Sequence, residues 1–155
     1  MSAIQKWRWR FLCYESIAEG CPVQDWFNDL TRVEKEEIAY LLVYLQNMTD
    51  RPWRRPEFAV LGGENGISEI RFDLRLSLNG KAQKVDYRIY GFFPGRGVYV
   101  FLHGTKKELK NDTVGKGIAR GRLAQLRLGT AATTHEFDYT GKPYPNAANW
   151  MGRPN

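Results

Sequence analysis

The sequence predicts an α+β domain in which a helical hairpin lies on a β-sheet. Apolar and polar residues alternate along 67–76, and strand-like runs follow at 86–90 and 98–102. Two amphipathic helical patterns precede them at 22–30 and 31–48. With 155 residues, 43% of them hydrophobic, the chain is long enough for one domain with a substantial core.

A first strand is predicted over 6–13. Trp7, Trp9, Phe11 and Cys13 alternate there with lysine and arginine, at the period of two that a strand requires. We interpret the aromatic side as buried, because the domain must fill an interior. The alternative is a platform on which nucleic-acid bases stack.

The helical hairpin is predicted from capping residues and spacing. Pro22 suits the first turn of one helix, and Thr31 with Glu34 forms a capping box that starts the next helix. The apolar stripe of the second helix follows helical spacing: Ile38, Leu41, Leu42, Leu45 and Met48. The segment 48–66 is rich in proline and glycine and is predicted to be a loop. Its Arg54-Arg55 pair is interpreted as solvated, and contact with RNA is the alternative.

The strand at 67–76 has one apolar face and one charged face. The predicted core side carries Ile70, Phe72, Leu74, Leu76 and Leu78, and the other side carries Glu69, Arg71, Asp73 and Arg75. Turn signals, Asn79-Gly80 in a loop of several residues and then 94–97, predict that the neighbouring strands are antiparallel. Residues 98–102 are apolar on both faces, as in an interior strand.

The remainder is predicted as a polar loop at 105–112, a glycine-rich helix at 113–128 that ends at Gly129, and a tail. The tail has no clear hydrophobic period. We therefore expect one domain over 1–128 and, over 129–155, an extension without its own core. The aromatic residues of the extension are expected to pack on the domain or on a second copy.

Charge and composition restrict the function. The net charge is +6, and residues 66–128 carry 13 Lys/Arg against 5 Asp/Glu. This local excess predicts a polyanionic partner, most often nucleic acid; a basic surface without a partner is the alternative. No apolar run approaches the roughly 20 residues of a membrane helix, and the first residues lack the apolar core of a signal peptide. Two cysteines form neither a disulfide framework nor a metal site, so we expect a cytoplasmic protein with reduced thiols.

Motifs for phosphate loops, metal sites and nucleophile elbows are absent from the sequence. What remains is a set of cationic side chains on or beside the predicted strands: Arg71, Arg88, His103, Lys106, Lys107 and Lys110. Neighbouring strands lie about 5 Å apart, so these groups can converge on one face. The alternative is that the arginines pair with Glu69, Asp73 and Asp86 in a cross-strand charge ladder.

Three motifs in order resemble a known family. They are Gly-Ile-Ser-Glu-Ile-Arg at 66–71, Tyr-Arg-Ile at 87–89, and Phe-Leu-His-Gly-Thr-Lys-Lys-Glu-Leu-Lys at 101–110, followed by Ile118-Ala119 and Arg122. Together, after a helical hairpin, they resemble the phage-derived Gp49-like family, which belongs with the HigB and RelE toxins in the RelE/ParE superfamily. The resemblance implies a RelE-like fold: an N-terminal strand and helical hairpin packed on a twisted, mostly antiparallel sheet, with a C-terminal helix.

The resemblance also implies an activity: the toxin of a type II toxin–antitoxin system, cleaving mRNA on the ribosome without a metal or other cofactor. The substrate's own 2′-hydroxyl attacks the adjacent phosphate, so the protein needs cations that stabilise the phosphorane rather than a nucleophile. By this resemblance Arg71 occupies the family's basic position on the first of the three strands, Arg88 binds phosphate, and Lys106 and Lys107 stabilise charge or contact rRNA. His103 transfers protons or, alternatively, is a structural histidine.

Further RNA contacts are assigned to five cations: Arg75, Lys110, Lys116, Arg120 and Arg122. The expected partners are the ribosome, mRNA and a separate antitoxin, a HigA-like helix-turn-helix protein, with no membrane. Two alternatives remain open. One is a ParE-like inhibitor of DNA gyrase, and the other is a catalytically inactive, phage-derived binding protein of the same fold.

Overall fold

The computed structural model describes residues 7–63, 66–107 and 112–140, with Leu78 and Lys107 described by their backbone only. It is an α+β fold with one six-stranded, mostly antiparallel open sheet and three helices. The elements in chain order are β1 Arg10–Glu15, α1 Pro22–Asn28, α2 Arg32–Gln46, β2 Phe58–Val60, β3 Ser68–Leu78, β4 Lys81–Gly95, β5 Val98–Lys107, α3 Thr113–Leu128 and β6 Ala132–Glu136. The strand order is β2-β3-β4-β5-β1-β6, and only β1 and β5 are parallel.

Helices cover both faces of the sheet. Alternate residues of β1 separate the two cores: Phe11 and Cys13 pack with α1 and α2, whereas Tyr14 packs with α3. The larger core, on the hairpin side, contains Phe27, Ile38, Leu42, Ile70, Tyr87 and Phe101. The smaller core, on the α3 side, contains Tyr90, Val100, Leu102, Ala119 and Leu123. None of the helices in the described residues is long and apolar enough to cross a membrane.

The helix ends follow the sequence. Pro22 is the first residue of α1, and both hydrogen bonds of the Thr31–Glu34 capping box are present. The predicted stripe of α2 is buried or half-buried. The last helix spans Thr113–Leu128 and ends on Gly129 in the left-handed conformation, at φ 79°. These features depend on short-range contacts, which is why the sequence predicts them.

Several sequence boundaries are wrong. The first strand begins at Arg10 rather than at residue 6, and Trp7 is half-exposed. The segment predicted as a loop at 48–66 contains β2, which pairs with β3. Asn79 and Gly80 form a two-residue hairpin turn with φ 53° and 77°, rather than a loop of several residues. Strand β5 continues to Lys107, into the segment predicted as a polar loop.

The segment after Gly129 adds a strand to the sheet. Strand β6 pairs antiparallel with β1, and the N–H of Phe137 donates to the carbonyl of Phe11 at 2.8 Å. The Phe137 ring is buried between Phe27 and Phe101, with ring centroids 5.1 and 4.9 Å away. Residues 129–140 therefore fold with the body of the protein; 141–155 lie outside the described residues.

Candidate functional site

Pairs of directly opposite charged residues, or rungs, follow one another along the α3-side face of the β3–β4 hairpin. In the strand register, Arg71 stands opposite Arg88, and Asp73 stands opposite Asp86. The next rungs on this face are Glu69 with Tyr90 and Arg75 with Lys84. Because directly opposite residues share a face, the two arginines predicted as catalytic residues lie together. Like charges oppose each other within three of these rungs, and unlike charges meet along the diagonals.

Arg71 and Arg88 share the carboxylate of Glu69. The Arg71 Nε lies 3.6 Å from Glu69 Oε1, and the Arg88 Nε lies 3.5 Å from Glu69 Oε2. The Arg88 side chain is 6% exposed and its Nη1 donates to the carbonyl of Tyr87 at 3.0 Å, whereas the Arg71 side chain is 32% exposed. The buried Nε of Arg88 has no hydrogen-bond partner. One carboxylate thus orients two guanidinium groups.

An open cavity of about 480 Å³ lies beside this pair. Its walls come from β3, β4 and the segment before β2: Arg55, Pro56, Glu57, Arg71, Phe72, Asp73 and Arg88. The segment is fixed at both ends, because Trp53 Nε1 donates to the carbonyl of Leu45 at 3.0 Å and the N–H of Arg71 donates to the carbonyl of Glu57 at 2.8 Å. The lining contains three arginines and two acids, so its formal charge is +1.

Three residues of this region were not assigned to the site by sequence reasoning. Arg55 was interpreted as solvated, but it lines the cavity. Asp73 and Asp86 were considered only as ion-pair partners, and of these two Asp73 lines the cavity. The alternation along 67–76 indicated the face of Asp73. The position of Asp86 opposite Asp73 depends on the strand register, and the position of Arg55 beside the cavity depends on the packing of Trp53. The sequence shows neither.

His103 lies under α3 and does not line the cavity. Its Nδ1 is 3.3 Å from Arg122 Nη1, and its ring stacks parallel to that of Tyr90 at 6.3 Å. Burial and the neighbouring Arg122 lower the pKa of His103 to about 4. The imidazole is therefore neutral at pH 7. Arg122 is itself buried and held by Glu19 at 2.7 Å and the carbonyl of Leu102 at 2.8 Å.

Lys106 lies on the opposite face of the sheet from Arg88. It is paired in register with Tyr87, and its Nζ is 2.7 Å from Glu34 Oε2 on α2. The Tyr87 hydroxyl donates to the same carboxylate oxygen. The expectation that the strand cations converge on one face therefore fails for Lys106, because the register shift between Tyr90 and Gly91 puts Lys106 on the α2 side and His103 on the α3 side. Lys107 stands opposite Asp86 in the register.

The other assigned cations are distributed over the surface. Arg75 is exposed and lies two residues beyond Asp73 on the same face of β3, towards the hairpin turn. Lys116 is half-buried and Arg120 is exposed on α3, where Arg120 lines a separate shallow cavity with Arg127. Lys110 lies outside the described residues. Of the ten assigned residues, Arg71 and Arg88 line the 480 Å³ cavity.

The fold and this site define an α+β protein with an open, arginine-lined cavity on one sheet face. Comparisons with protein-family models, curated proteins and solved structures found no significant match to this chain.

Proposed function

We propose that this protein is the toxin of a type II toxin–antitoxin system, with a RelE-like fold, and that it cleaves mRNA on the ribosome. The observation that carries the proposal is the rung of Arg71 and Arg88, which face each other beside an open cavity. The motif resemblance supports the same assignment. An N-terminal strand, a helical hairpin, the antiparallel strands β2 to β5 and then a helix follow one another along the chain, and this order supports the proposed RelE-like arrangement.

The cavity suits a phosphodiester in transesterification. In this reaction the 2′-oxygen bonds to phosphorus, the bond to the 5′-oxygen breaks, and negative charge develops on the non-bridging oxygens. Arginine donates through a planar fork that matches such oxygens. Arg88 is already oriented by Glu69 and by the Tyr87 carbonyl, so little reorganisation accompanies substrate binding. Arg55 contributes a third cation to the cavity lining.

Translation-dependent cleavage tests the proposal. Purified protein is added to a translation reaction, and primer extension maps the 5′ ends of the mRNA. We expect cuts with wild-type protein and a loss of about 10²- to 10³-fold in rate for Arg71→Ala, which removes one donor from the transition state. Arg88→Lys, which keeps the charge without the fork, should also lose activity.

Arg32→Ala is the matched control, because Arg32 is exposed on α2 and pairs only with Glu36 at 2.9 Å among the contacts described. Its cleavage rate should equal that of wild type. If the wild-type protein leaves mRNA intact on translating ribosomes, the proposal is wrong. If it then blocks DNA supercoiling by gyrase, the ParE-like alternative replaces it. A partner antitoxin would be recognised by neutralisation of the same cleavage reaction.

A further inference from the structure

The rung of Asp73 and Asp86 places two carboxyl groups directly opposite each other, next to the arginine rung. Like charges at opposite positions of a ladder destabilise a sheet. The repulsion is relieved when one of the two carboxyls is protonated and donates to the other. The hydrogen bond from Asp73, together with burial, raises the pKa of Asp86, and the same hydrogen bond lowers the pKa of Asp73. The pair therefore takes up a first proton more readily than a lone carboxylate does.

The pair reaches the cavity through Asp73. Asp73 is exposed and lines the cavity together with Arg71 and Arg88, while Asp86 Oδ1 is buried behind it without a hydrogen-bond donor. The Arg88 Nε, in a side chain that is more than nine-tenths buried, makes no hydrogen bond either and lies 3.5 Å from Glu69 Oε2 in an ion pair. Buried polar atoms without hydrogen bonds are rare in folded proteins. The acidic rung and the arginine rung are adjacent on one face, and Asp73, Arg71 and Arg88 line the same cavity.

A ligand in the cavity that fits both rungs offers an acceptor to the arginines and a hydroxyl to Asp73. A phosphate next to a ribose 2′-hydroxyl has this pattern, and DNA lacks the hydroxyl. Same-face rungs are about 7 Å apart along a strand, so one nucleotide can contact both. The acidic rung thus complements the sugar, and the arginine rung complements the phosphate.

We propose that Asp73, backed by Asp86, accepts the proton of the 2′-hydroxyl whose adjacent phosphate is bound by Arg71 and Arg88. The inference rests on the proposed RNA cleavage. The 2′-oxygen bonds to phosphorus as its proton passes to the Asp73–Asp86 pair. The bond from phosphorus to the 5′-oxygen then breaks, and the pair returns a proton to that oxygen. The products are a 2′,3′-cyclic phosphate and a 5′-hydroxyl.

The charges around the pair set its proton affinity. Lys84 Nζ lies 3.4 Å from Asp73 Oδ2, and Arg88 is close enough to lower the pKa of both acids. Arg71 shares the cavity wall, Arg55 and Glu57 face the pair from the segment before β2, and Lys107 stands opposite Asp86 in the β5 register. Asp73 is the catalytic residue in this scheme. Asp86 is a positioning residue whose raised pKa lets the pair hold the proton that Asp73 accepts.

Single-turnover cleavage of mRNA on programmed ribosomes, measured across pH, tests both roles. Asp73→Asn should reduce the plateau rate by about 10²- to 10⁴-fold. Asp86→Asn should retain more activity but shift the acid limb of the rate profile to lower pH, because the carboxyl with the raised pKa is gone. Asp50→Asn, at an exposed position in the loop after α2, is the control and should behave as wild type.

Binding and folding are measured on the same proteins. Both active-site variants should bind ribosomes carrying a 2′-O-methylated mRNA within about threefold of wild type, because the arginines hold the phosphate. Their thermal midpoints should match or exceed that of wild type, since asparagine removes a like-charge contact. Carboxyl NMR titration of the free protein should show the higher of the two pKa values on Asp86.

Three results would overturn the inference while leaving the proposed function intact: cleavage by Asp73→Asn at the wild-type rate, an acid limb that Asp86→Asn leaves in place, or titration of the two acids as independent groups. Absence of cleavage by the wild-type protein itself would instead overturn the proposed function.

Discussion

Glu34 is the carboxylate at which α2, β4 and β5 meet, and Glu34→Gln tests how the helical hairpin is held on the sheet. The Glu34 side chain is 1% exposed. Its Oε2 accepts from the Tyr87 hydroxyl and pairs with Lys106 Nζ at 2.7 Å, and its Oε1 accepts from the N–H of Thr31 at 2.9 Å. Burial raises the pKa of this carboxyl, but the hydrogen bonds from Lys106, Tyr87 and Thr31 outweigh burial and lower the pKa to about 2.

The magnitude follows from that pKa. A fall from the ordinary value of 4.5 to about 2 favours the ionised form by about 3 kcal/mol, at about 1.4 kcal/mol per pKa unit. This stabilisation is present above the unfolded pKa and is lost as the pH falls through the folded pKa. Glutamine keeps the shape and one acceptor, but its amide nitrogen cannot accept from Tyr87 or Lys106. We therefore expect Glu34→Gln to lower the free energy of unfolding at pH 7 by about 3 kcal/mol.

Urea unfolding followed by circular dichroism at several pH values measures this deficit. It should shrink as the pH falls from about 5 to about 2, where the wild-type carboxyl becomes protonated. Glu36→Gln removes an exposed ion pair on the same helix and should cost no more than about 0.5 kcal/mol. A deficit below about 1 kcal/mol at pH 7, or one that does not change with pH, would refute the reasoning.

Three further predictions concern the body of the fold. Gly104→Ala should lower the thermal midpoint, because an added Cβ would overlap the ring of Trp26, whereas Gly121→Ala, with open space around it, should raise stability by about 0.5 to 1 kcal/mol. The ring NMR signals of His103 should stay constant between about pH 8 and pH 5, since burial and Arg122 lower its pKa to about 4. The contribution of the neutral ring to stability should be lost as the pH falls from about 6.5 towards 4. Titration of the ring near pH 6.5 would contradict this prediction. Phe137→Ala should cost about 3 kcal/mol in chemical denaturation, because the ring is buried between two phenylalanines, and an unchanged midpoint would show that β6 does not stabilise the sheet.

The sequence predicted only in part which of the candidate site residues lie on the same face of the sheet. Alternation along 67–76 correctly separated the face of Ile70 from that of Arg71, because side chains on a strand alternate without reference to the rest of the fold. The face of Lys106 could not be predicted in the same way. The β4–β5 register shifts between Tyr90 and Gly91, so that His103 packs under α3 while Lys106 faces α2. A bulge of this kind changes the side that later residues occupy, and no local pattern indicates it.

The sequence by itself determined the α+β class, the capping box at Thr31, the hairpin of helices and the end of α3 at Gly129. Each depends on contacts within a few residues, which composition and spacing report directly. Only the tertiary structure decided that 58–60 and 132–136 are strands, because these short segments are ordered by pairing with β3 and β1. It likewise decided that Asp73 meets Asp86 and that Arg55 lines the cavity beside the arginine rung, since both depend on register and packing between different segments of the chain.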